Sequence, residues 1–156
     1  MNSTTKIIIG RREKVSFPDL GLKLVEAKID TGAYTAALHC SRIWVEEKAG
    51  VAVLCFKILD DTHPRYSEKT HEFLVFGKRK IKNSSGIFES RFTIKTPIKI
   101  GRKKIQATLS LTDRAGMKYP VLVGRKLLHN RFIVDVTELN LLEKKANNFY
   151  FHFCLH

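Results

Sequence analysis

Apolar and polar residues alternate along much of the chain with the period of two that a half-buried strand requires. Ala107-Thr108-Leu109-Ser110-Leu111-Thr112 is the clearest case. Ile43–Val45 and Val51–Ile58 predict two strands joined at Lys48-Ala49-Gly50, and His71–Phe76 predicts another. Ile98–Ile105 reads as a hairpin turning at Gly101, and residues 79–94 read as a second with Asn83-Ser84-Ser85-Gly86 at its tip. Residues 6–9 form a short β-like run, Gly10–Glu13 is expected to turn, and Pro18 and Gly21 punctuate the approach to the next strand. Asp60–Lys69 is polar, contains Pro64 and reads as a loop. In the tail, Phe149, Phe151, Phe153 and Leu155 alternate with His152, Cys154 and His156, which predicts a final strand. Many short strands and hairpin turns, with one short helix after Gly124, predict an all-β, barrel-like fold.

Two stretches carry candidate chemistry. In the first, the apolar residues Leu22, Leu24, Val25 and Ile29 lead directly into Asp30-Thr31-Gly32-Ala33, presenting a carboxylate from a strand end. Alone, this tripeptide also describes an ordinary turn. In the second, Tyr119-Pro120-Val121-Leu122-Val123 reads as a buried strand that ends at Gly124 and is followed by Arg125-Lys126-Leu127-Leu128. Together and in this order the two stretches resemble the retropepsin-like aspartic peptidases. With Ala27-Lys28-Ile29 before the aspartate, Ala37-Leu38-His39 after it and Leu111-Thr112-Asp113-Arg114 further on, the chain most resembles one bacterial retropepsin-like family. Members of that family bear the label ATP-dependent zinc protease and are linked with the ribosomal-protein glutamate ligase.

The resemblance covers about residues 6–137. It implies a single domain over 1–156, an acid-protease closed barrel, with 138–156 as a C-terminal extension containing the tail strand. It also implies that Ala33–His39, helix-prone by propensity, is extended. Only one Asp-Thr-Gly occurs, whereas an aspartic peptidase needs two carboxylates. The family solution is a homodimer in which each subunit lends one Asp30. The resemblance assigns catalytic roles to Asp30, Thr31 and Gly32, with Thr31 buried below the turn and bonded across the axis. It assigns substrate contacts to Ala33, Thr35 and the flap tip Ser84, Ser85 and Gly86, and structural support to Leu122, Val123, Gly124 and Arg125. Two departures stand out. Tyr34 occupies a position that is acidic in viral members, which leaves Arg125 without its expected partner, and the flap tip is more polar.

Composition adds a direction. The 156 residues carry a formal net charge of +13, which draws polyanions or acidic peptides, while the basic residues form no long tail or RNA-binding motif. A second function class is therefore a non-catalytic barrel that grips RNA or an acidic protein. With 44% hydrophobic and 28% charged residues the chain reads as an ordinary globular protein. It shows no span for a membrane and no leader peptide, and Cys40, Cys55 and Cys154 suit free thiols, so the cytoplasm is expected. The zinc and ATP of the family label find no motif: no Gly-x-x-x-x-Gly-Lys occurs, and His71-Glu72-Phe73-Leu74-Val75 lacks a second histidine. The best metal candidate is His152, Cys154 and His156, which exposed polar positions on a strand explain equally, and no cofactor is expected.

Overall fold

The computed structural model describes residues 5–153, with side chains described to residue 149. Ten strands run β1 (Ile7–Phe17), β2 (Leu22–Ile29), β3 (Ala36–Lys48), β4 (Val51–Ile58), β5 (His71–Phe73), β6 (Gly77–Lys82), β7 (Phe88–Ile100), β8 (Lys103–Thr112), β9 (Val121–Val123) and β10 (Phe132–Leu139). Two α-helices, α1 (Arg125–Leu128) and α2 (Leu141–Phe153), accompany them. Six strands close in the order β1-β2-β9-β3-β8-β7, the last returning to β1 through Val15↔Ile100 and Ser16↔Lys99. β10 lies parallel to β1 outside the ring, β6 extends from β7, and β4 and β5 extend from the outer half of β3.

Pleat alternation fills the barrel. On β7, Ile94, Thr96, Ile98 and Ile100 are buried while Lys95 and Lys99 are exposed. Ile9, Val15, Phe17, Leu38, Leu109, Leu111, Val121 and Val123 meet them inside. Each such aliphatic side chain contributes roughly 1.5–3 kcal/mol by leaving water. Extended structure begins at Ala36, because Ala36–His39 pairs in parallel with Leu109–Thr112, and this pairing overrides the local helical propensity.

Three expectations are corrected. Gly10–Glu13 does not turn: β1 runs straight through it with a bulge between Gly10 and Arg12. Gly10 is there because a Cβ would lie 2.5 Å from the Glu138 carbonyl oxygen of the adjoining β10. The strand expected over His71–Phe76 ends at Phe73. The tail is helical through Phe153 and not a strand; of the metal candidates His152, Cys154 and His156, the last two lie outside the described residues. Leu141-Leu142-Glu143-Lys144-Lys145-Ala146 are good helix formers. The start of α2 is fixed from a distance: buried Glu13 accepts the N–H groups of Leu141 (2.9 Å) and Leu142 (3.4 Å) as well as that of Gly10 (2.8 Å). A carboxylate at a helix N-terminus satisfies amides that have no partner within the helix and complements the dipole.

Candidate active site

β2 delivers Asp30 between two neighbours. β9 runs parallel to it, with Ile29 opposite Val123, and the Asp30 N–H donates to the Val123 carbonyl at 2.9 Å. β9 is held on its other side by β3, where Leu122 pairs with Ala37. The turn is closed by Ala33 N–H donating to the Asp30 carbonyl (3.2 Å), and the Gly32 N–H donates to Asp30 Oδ1 (3.0 Å). A Cβ at Gly32 would sit 3.2 Å from that same carboxylate oxygen, so glycine leaves the acid its place. Thr31 and Gly32 are exposed on this chain, and no element of the same chain covers Thr31.

The second stretch supports the first from below. Gly124 approaches the Tyr34 and Thr35 carbonyl oxygens so closely that a Cβ would lie 2.7 Å from each. The N–H groups of Arg125 and Lys126 donate to Ala33 O (2.8 Å) and Tyr34 O (3.0 Å). Arg125 has a partner after all: Nη1 donates to the Thr31 carbonyl at 2.9 Å, and the guanidinium lies 5.9 Å from the Tyr34 ring centre. A backbone carbonyl and an aromatic face thus take the place of the missing acid. Leu122, Val123, Gly124 and Arg125 all meet the Asp30–Thr35 segment or the strands carrying it. Ala33 and Thr35 are half-buried beside the turn. Ser84, Ser85 and Gly86 sit exposed at the β6–β7 tip, which Asn83 Oδ1 organises by accepting the Ser85 and Ile87 N–H groups (both 3.0 Å). Among the described residues no hydrogen bond or ion pair joins this tip to the aspartate turn. Large apolar side chains, Ile87 and Phe88, are exposed next to it.

Around Asp30 the charges are positive. Lys28 Nζ lies 3.7 Å from Oδ2. Arg114 is half-buried; its guanidinium is pushed below its ordinary value by burial and then by the like charge of Arg91, while Asp30 acts in the opposite direction. Arg91 itself, on β7, is paired with Glu89.

A polar cluster that sequence spacing does not reveal adjoins this region. His39, buried at the end of the barrel half of β3, bonds Asp60 Oδ2 through Nε2 (2.7 Å) and accepts the Arg114 N–H on Nδ1 (2.8 Å). Asp60 also accepts the Thr62 N–H (3.0 Å) and the Thr62 hydroxyl. Hydrogen bonds from Thr62, then the one from His39, hold the Asp60 carboxyl down at about 2. It is therefore a carboxylate near neutrality, an acceptor only, which makes Nε2 the protonated nitrogen of His39. In the sequence, His39 and Arg114 stood out only within the family pattern and Asp60 only as the start of a polar loop. A depressed carboxylate stabilises the fold above its unfolded value of roughly 3.9 and loses that contribution as pH falls through the folded value. Between about pH 4 and pH 2 the wild type is therefore expected to lose stability more steeply than Asp60→Asn, as measured by urea unfolding at stepped pH. Parallel curves would show that Asp60 is not linked to folding.

Among the described residues no three His, Cys, Asp or Glu side chains are grouped to hold a metal, and no helix is long and apolar enough to cross a membrane.

A closed six-stranded barrel that braces an Asp-Thr-Gly turn from below with a Gly-Arg segment is the architecture of the retropepsin-like aspartic peptidase class. The family model described as "Retropepsin-like aspartic endopeptidase RimB" matches residues 8–145, and the chain belongs to this RimB-like family. It is 36% identical over 130 residues to a probable alpha-L-glutamate ligase of Desulfotalea psychrophila, a match covering 83% of this chain and 28% of that protein. A Shewanella pealeana protein of the same name is 32% identical over 145 residues, covering 93% of this chain and 32% of its own length. The chain thus spans less than a third of these curated relatives. A crystal structure of a Legionella pneumophila protein of unknown function superposes with a TM-score of 0.70 at 30% identity, covering 88% of this chain and 99% of that one.

Proposed function

We propose that two copies of this chain form an aspartic endopeptidase in which their Asp30 carboxylates meet across a twofold axis and hydrolyse α-linked acidic peptides, glutamyl chains above all. The observation that carries the reading is the Asp30 turn itself. A single carboxylate is fixed at a strand end by Val123 and Gly32, while the Thr31-Gly32 surface next to it stays open for a symmetry mate. Two adjacent carboxylates cannot both ionise cheaply and share one proton at working pH. The ionised partner takes a proton from water as the water oxygen attacks the scissile carbonyl carbon, and the protonated partner gives its proton to the carbonyl oxygen. Collapse of the resulting diol breaks the C–N bond as one hydroxyl proton returns to the carboxylate that gave its proton and the proton taken from water passes to the leaving amine, which restores the shared-proton state. No acyl-enzyme forms.

The acidic substrate is supported by Lys28 beside Asp30 and by Arg114, on whose charge Asp30 acts, and by the relatives' name: a ligase that joins α-glutamate would supply the bond that this site would cut. A second reading, polyanion binding without hydrolysis, draws on Lys99 and Lys104, exposed like charges directly opposite each other on β7 and β8. Incubation of the protein with α-linked oligoglutamate and, separately, an uncharged peptide, followed by mass spectrometry, decides between them. Shortened oligoglutamate and a dimer by sedimentation support the peptidase. Intact oligoglutamate bound without turnover supports the second reading.

A further inference from the structure

The 113–120 loop connects β8 to β9 and thereby to the strand that supports Asp30. His39 holds this loop at both ends: its N–H donates to the Pro120 carbonyl at 2.8 Å, and its Nδ1 accepts the Arg114 N–H at 2.8 Å. The ring is locked in this role from its other side, because Asp60 receives Nε2–H. Asp113 Oδ1, 3.7 Å from Nδ1, is occupied in accepting the Ala115 N–H. The loop then folds on itself through the Met117 N–H to Arg114 O (2.9 Å) and through Arg114 Nε to Tyr119 O (3.2 Å). That last bond uses one edge of the guanidinium. Its terminal nitrogens have no carboxylate partner among the described residues, although the side chain is half-buried and Arg91 and Asp30 both act on its charge. A half-buried cation without an acid is costly unless a ligand supplies one.

Resting on the peptidase reading, we propose that His39 is a positioning residue: its ring, oriented by Asp60, fixes the Arg114 backbone so that the Arg114 guanidinium receives a side-chain carboxylate of the acidic substrate. His39 touches no substrate and acts through Arg114. A bidentate guanidinium–carboxylate contact depends strongly on geometry, so the loss appears in substrate binding rather than in the chemical step.

Two amide variants separate the halves of the ring. His39→Asn places an acceptor oxygen where Nδ1 stands, and His39→Gln places a donor where Nε2 stands. For His39→Gln the expected result is fast hydrogen exchange at the Arg114 amide and a KM for oligoglutamate raised on the order of tenfold, with kcat nearly unchanged. His39→Asn keeps the Arg114 amide protected and KM near that of the wild type. Arg114→Gln, which leaves the backbone bond to His39 in place, reproduces the KM effect even if a His39 variant fails to fold. The proposal is overturned if Arg114→Gln leaves the KM for oligoglutamate unchanged, or if the two His39 variants lower kcat alike without a difference in KM. If the wild type binds oligoglutamate without cutting it, the peptidase reading fails, and the same variants compared by Kd still decide the role of His39. If it neither binds nor cuts, both fall.

Discussion

On the dimeric peptidase reading, Asp30→Asn is expected to abolish hydrolysis of oligoglutamate, lowering kcat by on the order of 10³-fold or more with the fold kept. The substitution is clean because Asn keeps the Oδ1 that accepts the Gly32 N–H at 3.0 Å. What it removes is the capacity to hold the shared proton and the single negative charge. The loss of the 3.7 Å contact with Lys28 matters little to stability, since exposed pairs contribute roughly 0–1 kcal/mol. A mixing experiment tests whether the site is shared. If one carboxylate comes from each subunit, re-equilibrating equal amounts of wild type and mutant lowers the activity of the mixture to roughly half of its starting value, since only wild-type pairs work. Activity that does not fall on exchange would mean that each chain works alone, and unchanged turnover by the mutant by itself would remove Asp30 from the mechanism.

Gly124→Ala is the second large effect, and it acts without touching the acid. Its backbone angles, φ −90° and ψ 176°, suit any residue, so conformational freedom is not what glycine provides here. The added methyl would lie 2.7 Å from two carbonyl oxygens, those of Tyr34 and Thr35, and backbone cannot swing aside as a side chain can. Overpacking of this kind costs about 1–3 kcal/mol. It also separates Arg125 and Lys126 from Ala33 and Tyr34, tilting the turn that carries Asp30. Displacement of a reacting group by about 1 Å costs on the order of 10²-fold in rate. The expected outcome is a lowered melting temperature together with a drop in kcat that exceeds what the unfolded fraction explains. Wild-type stability in this variant would show that the Gly124 contact can relax.

The two stretches that touch in the barrel were legible because each carries its own local signal: a strand period, a turn glycine, then an apolar strand running into Gly-Arg. Hairpins such as β7–β8 were legible for the same reason, since Gly101 and the flanking alternation lie within a few residues of each other. What stayed hidden depends on distant partners. Gly10 looked like a turn residue, but its role is set by the Glu138 carbonyl. The tail alternated as a strand would, yet its helix is started by Glu13, whose carboxylate reaches Leu141 across 128 positions of sequence. The partner of Arg125 is not an acid but the Thr31 main chain, which leaves no side-chain signal in the sequence. His39 and Asp60 lie 21 residues apart with no spacing rule to join them.

β9 is three residues long and occupies the gap between β2 and β3, two strands made much earlier in synthesis. Until the ribosome has released residues 121–125, nothing receives the Asp30 amide and nothing braces the loop behind it. The Asp30 turn therefore takes its shape late, only once the short strand that closes the barrel has docked between its two older neighbours.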